Sequence, residues 1–223
     1  MRDILQGILN YRSNELPALK ARYAALATGQ KPGALFFSCS DSRVIPSLMA
    51  QANPGELFEV RTVGNLVAPA SGDGGLSTGD ESEAAALEFA LAALGVDDIV
   101  VCGHSSCGAM KAALGAPLPA EAVNLGRWLR HAAPALSRLR AGGTLDDSLS
   151  EADQLSQLNV LTQLEHVRSY AGVKRRIDSG EVRLHALWFD VPHGEVLAFD
   201  PAARKFVHVD ESVAARVAGG LTI

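Results

Sequence analysis

Two short runs constrain this chain more than any other feature. Ala34-Leu35-Phe36-Phe37 and Ile99-Val100-Val101-Cys102 are apolar without interruption, which is how strands read when a parallel sheet is covered on both faces. Parallel neighbours need long crossovers, and the intervening segments carry helical spacing. Further strands are expected at 57–63, after the turn Asn53-Pro54-Gly55, and at 182–191. A strand at 196–200 should pair with the latter across His193-Gly194, and a short strand at 206–209 precedes a weak helix.

Helices are predicted at 3–28 with Pro17 dividing it, at 81–94 ended by Gly95, at 109–114, at 121–139 and at 151–178. Residues 68–80 are rich in Gly, Ser, Pro and Asp and read as a flexible loop. The expected fold is α/β: a mostly parallel central β-sheet flanked by helices, with an N-terminal helical arm and a C-terminal antiparallel edge strand. The 223 residues, 48% hydrophobic, suit one domain over 1–223, with the arm at 1–30 and the α/β core at 31–223.

The net charge of -5 argues against a nucleic-acid partner, which would want a basic face. No apolar run approaches the roughly 20 residues of a membrane span. The first residues lack the apolar stretch of a signal peptide, so the chain reads as cytoplasmic. Only three cysteines occur, Cys39, Cys102 and Cys107. An odd, small number is no disulfide framework, which leaves metal ligation, nucleophilic catalysis and burial.

In open parallel sheets, ligands bind beyond the carboxyl ends of the strands. Cys39 closes the first strand there, and His104 with Cys107 follows the third. Two thiolates and an imidazole suit Zn²⁺, and three protein ligands leave the fourth position that catalytic zinc keeps open. On pattern alone His-x-x-Cys is a weak motif and a lone strand-end cysteine is more often buried. Cys102 is read as such a core residue. Asp41 and Arg43 follow Cys39 closely and place a carboxylate and a guanidinium beside the candidate metal.

Cys39-Ser40-Asp41-Ser42-Arg43 and Gly103-His104-Ser105-Ser106-Cys107-Gly108 together resemble the signature pair of the β-class carbonic anhydrases. The similarity extends through Pro54 to Phe58, Arg61 to Val67, and Leu184 to Asp190. It implies one Zn²⁺ per subunit on Cys39, His104 and Cys107, with Asp41 and Arg43 as catalytic dyad and Asp41 as a fourth ligand in a closed state. It assigns Gln30 to hydrogen-bond CO₂ or bicarbonate and the Gly108 N–H to the oxyanion side. Phe58 and Val63 would wall the CO₂ pocket, with Phe89 where Tyr is usual. The implied activity is reversible hydration of CO₂ to bicarbonate and a proton through a zinc-bound hydroxide, in a homodimer or higher even oligomer.

Phe36 and Ser38 stand where some bacterial members carry the Trp and Gly of an inhibitory bicarbonate site. With Gln30 present, the chain is similar to the plant-type subclass, and no bicarbonate-gated inactive state is expected. Thr62, at a position commonly Asn, and a longer 71–82 loop are further departures. Hydrolysis of COS or CS₂ on the same scaffold and a catalytically silent structural zinc protein are the competing readings. A nucleotide-binding module is weaker, because no Gly-x-Gly-x-x-Gly or P-loop pattern follows a strand. Two thiolates cancel the charge of the metal, so its water should ionise less readily than on three histidines. CO₂ hydration should therefore rise from neutral to alkaline pH; a flat rate from about pH 6 to 9 would count against a thiolate-bound metal.

Overall fold

A computed structural model describes residues 1–221, so the single unit expected over 1–223 has its last two residues outside the described ones. Strands β1 (Ala34–Cys39), β2 (Leu57–Thr62), β3 (Asp98–His104), β4 (Arg183–Asp190), β5 (Glu195–Asp200) and β6 (Lys205–His208) form one sheet. Its order is β2-β1-β3-β4-β5-β6. The first four pair in parallel, and β5 and β6 add antiparallel pairs at the C-terminal edge, as expected for 196–200 and 206–209.

The apolar runs behave as expected. Leu35, Phe37, Ile99 and Val101 are fully buried on one face, against Leu87, Val160 and Leu164. Phe36, Val100 and Cys102 are buried on the other, so Cys102 is the core residue it was read to be.

The helices are α1 (Arg2–Asn10), α2 (Leu16–Leu26), α3 (Pro46–Met49), α4 (Ser82–Phe89), α5 (Gly108–Ala113), α6 (Val123–Trp128), α7 (Ala133–Arg140), α8 (Glu151–Ser169), α9 (Ala171–Asp178) and α10 (Glu211–Val217). The arm is split as expected, by a wide turn at Tyr11–Glu15, and Pro17 lies in the first turn of α2. The expected helix at 151–178 breaks at Tyr170, whose ψ of 123° is extended. The buried Tyr170 hydroxyl donates to the Ala68 carbonyl at 2.8 Å, a tertiary bond that overrides the helical pattern. The span 121–139 likewise breaks, through a tight turn at Leu129–Ala132 that buries His131. The 68–80 loop closes on itself through an Ala70–Ser77 bridge.

β3 runs two residues beyond its expected end because Gly103 and His104 pair with Trp188 and Phe189 of β4. This extension carries His104 into the sheet, and it depends on a missing side chain. A Cβ on Gly103 would lie 2.6 Å from Val160 Cγ2 and 3.2 Å from Ser156 Oγ. Gly103→Ala should therefore push α8 off the sheet and cost about 1–3 kcal/mol. The check is the denaturant midpoint; an unchanged midpoint would mean the helix yields freely.

Candidate metal centre

β1 delivers Cys39 at its last residue and β3 delivers His104 at its last. A turn with Ser106 at φ 55° then brings Cys107 back to the start of α5. One ligating atom from each of Cys39, His104 and Cys107 lies within 4.8 Å of the others, and all three side chains are buried. His104 is fully buried. Its Nδ1 lies 2.8 Å from the Ser105 carbonyl, so the ring proton sits there. Nε2 is buried without a partner. An unshared imidazole lone pair facing two sulfurs is what a soft-to-borderline cation requires.

The sulfurs point the same way. A hydrogen bond from Cys107, then bonds from the backbone of Asp41 and Gly64, overcome burial and draw the Cys39 thiol down to about 4. Cys107 is pushed up, first by that bond to Cys39 and then by burial. One negative charge is thus easy in this space and two need a cation. The donor set fits Zn²⁺.

Asp41 Oδ2 lies 3.9 Å from His104 Nε2. Arg43 grips the carboxylate with Nε on Oδ1 at 2.9 Å, Nη2 on Oδ2 at 2.8 Å and its own backbone N–H on Oδ1 at 3.0 Å. This side-chain bonding holds the Asp41 carboxyl well below the usual range. The segment beneath is pinned by Arg61, whose Nη2 donates to the carbonyls of Asp41 at 2.8 Å and Val44 at 2.7 Å.

The remaining expected site residues fall into two groups. Val63, partly exposed, follows β2 beside Cys39, and Gly108 opens α5 next to Cys107. Gln30, Phe58 and Phe89 are elsewhere. Phe58 pairs with Leu35 near the start of β1, while Thr62 pairs with Cys39 at its end. Four residues of strand make that about 13 Å. Phe89 stacks on Phe58 with ring centres 5.8 Å apart. Gln30 precedes β1 beside Pro54 and Gly55, at the amino edge of the sheet. A single chain therefore does not bring these three to its own cluster.

The sequence predicts the helix that contains α8 but not its role at the site. Asp153 Oδ1 accepts the Ser106 N–H at 2.6 Å, and Ser156 Oγ donates to the His104 carbonyl at 2.8 Å. Trp188 Nε1 donates to Ser156 Oγ in turn, at 3.1 Å. The available signal was polar residues at Asp153, Ser156, Asn159 and Gln163, spaced by three and four on a helix whose length otherwise suits the core.

A sequence profile described as carbonic anhydrase matches residues 34–196. A carbonic anhydrase of Pseudomonas aeruginosa is 41% identical, over 99% of this chain and 97% of its own. The solved structure of the β-carbonic anhydrase CcaA superposes with a TM-score of 0.81 at 33% identity, covering 94% of this chain and 99% of that one. Tetrameric β-carbonic anhydrases from Sordaria macrospora give a TM-score of 0.74 at 25% identity, covering 88% and 95%.

Proposed function

The chain belongs to the carbonic anhydrase family, in its β class, and from that premise we propose that it hydrates CO₂ reversibly at a Zn²⁺ held by Cys39, His104 and Cys107. The observation that carries the metal is the convergence of two buried sulfurs on a buried imidazole Nε2 with no other partner. Bound there, Zn²⁺ supplies a Lewis acid that makes water far more acidic. Asp41, ionised and therefore only an acceptor, receives the O–H of the attacking oxygen and turns its lone pair toward CO₂. Arg43 keeps Asp41 in that state. Val63 offers an apolar wall that holds CO₂, which has no dipole, without desolvating a charge. The Gly108 N–H faces the bicarbonate oxyanion. The test is zinc content with CO₂ hydration on the purified chain; a zinc-free or inactive protein overturns the reading.

Gln30, Phe58 and Phe89 complete this site from a second copy. Two features support an association. The α1 residues Ile4, Leu5, Ile8 and Leu9 are each more than half exposed and no residue of α1 is buried. The Sordaria relatives are tetrameric. We read the arm, 1–30, as embracing a partner while 31–223 forms the core of a single domain. Placing charge there in Ile4→Asp with Ile8→Asp should weaken association at least about 100-fold, since each buried Ile is worth about 1.5–3 kcal/mol. Light scattering should show the mass fall and hydration should fall with it; an unchanged mass would remove the arm from the interface.

Three free cysteines suit a reducing compartment, and we place the enzyme in the cytoplasm. No described helix is long and apolar enough to cross a membrane.

A further inference from the structure

The Cys39 sulfur accepts a hydrogen bond from the Gly64 N–H at 3.3 Å. That N–H belongs to the Val63–Gly64 peptide, which is trans, so its carbonyl points the opposite way. There it accepts the indole N–H of Trp128, from the end of α6, at 2.9 Å. The following peptide is held as well. The Gly64 carbonyl accepts Asn159 Nδ2 at 3.1 Å, and Asn159 Oδ1 accepts Gln163 Nε2 at 2.8 Å. Gln163 Oε1 accepts the Val67 N–H at 2.9 Å, which closes the loop back on the same segment.

Asn159 and Gln163 are both fully buried. Amides in such a place are costly unless every polar atom is paired; Asn159 is spent on this turn, and Gln163 ties it to the His131 carbonyl as well, at 3.0 Å. Gly64 itself has φ 75°, and a Cβ there would lie 2.9 Å from Ala109 Cβ on α5. The turn is thus held by α6, α8 and α5 at once. Its single N–H directed at the cluster lands on a ligand sulfur. Bonds in series strengthen one another in a low-dielectric interior, so a donor on the peptide carbonyl makes its N–H a better donor to sulfur.

We propose that Trp128 and Asn159 are positioning residues for the metal: they clamp the Val63-Gly64-Asn65 turn so that its N–H stays on the Cys39 thiolate and sets how tightly that ligand is held. The proposal rests on reading Cys39 as a zinc ligand. Groups that orient ligands commonly change metal affinity 10- to 100-fold.

Trp128→Phe removes the indole N–H while leaving a smaller aromatic ring on the side of His131, whose ring centre lies 5.1 Å from that of Trp128. Asn159→Leu removes the other clamp. Thr162→Val is the control, a fully buried hydroxyl on the same helix that bonds Arg138 instead. Zinc release from the loaded full-length protein to a chelator should be at least about 10-fold faster in Trp128→Phe and Asn159→Leu, and unchanged in Thr162→Val. With Co²⁺ in place of zinc, the sulfur-to-metal absorption should move to longer wavelength in the first two, because a thiolate without its hydrogen bond gives up an electron more easily. Wild-type release rate and an unshifted band in Trp128→Phe would overturn the clamp while leaving the zinc site standing. A wild-type chain that takes up neither metal would sink both.

Discussion

Cys39→Ser should lose zinc and lower CO₂ hydration by about three orders of magnitude or more. A serine hydroxyl does not ionise near neutral pH, so the substitution removes a thiolate and leaves a neutral oxygen on a shorter bond. The remaining His104 and Cys107 cannot complete a three-ligand set. The loss in rate follows from what the metal supplies, since several kcal/mol of charge stabilisation at about 1.4 kcal/mol per decade gives roughly a thousandfold. The Gly64 N–H and the backbone that positions it are untouched, so the fold should survive. Cys102→Ala is the companion measurement. Cys102 is fully buried on the far face of the sheet with Phe36 and Val100, and burial pushes its thiol up to about 12. It should keep one zinc and most of the activity. Full zinc in Cys39→Ser, or zinc lost equally in both, would show that the metal is held elsewhere.

The contrast between these two cysteines shows what the sequence carries. Both close apolar runs and both are followed by polar residues, but Cys39 is the last residue of its strand, whereas Gly103 and His104 carry β3 past Cys102 by pairing with β4. The ligands were readable because each sits next to the signal that ends its own strand. Sequence reasoning groups Gln30, Phe58 and Phe89 with them, although strand register puts Phe58 near the start of β1, Phe89 packs on Phe58, and Gln30 precedes β1. Register decides which end of β2 meets Cys39, and no local pattern encodes it. The break at Tyr170 was hidden for a related reason. It has neither Gly nor Pro, and its cause is a bond to Ala68, 102 residues away. The helix α8 hid its role in a third way, because buried polar residues on a core helix look like imperfections until the loops they hold are seen.

Asp41→Asn should lower kcat for hydration by about 100-fold or more while zinc stays bound. Asp41 is not one of the three converging ligands, so the metal does not depend on it. The side chain keeps its size but trades one acceptor oxygen for a donor. If its remaining oxygen faces Arg43 Nε and the Arg43 backbone N–H, the new amide nitrogen occupies the Oδ2 position, beside Arg43 Nη2 and facing the cluster. It then offers a proton where the attacking oxygen needs to give one, and the lone pair is no longer aimed. The pH profile separates this role from that of a titrating base. Arg43 holds the Asp41 carboxyl well below its ordinary value, so Asp41 stays ionised throughout the neutral and alkaline range. The rise in rate with pH must belong to another group, and Asp41→Asn should lower the plateau without moving the midpoint. A shifted midpoint at full zinc would make Asp41 the titrating group. An unchanged plateau would leave the Asp41–Arg43 pair as a structural clasp, with the orientation of the nucleophile supplied by something else at the rim.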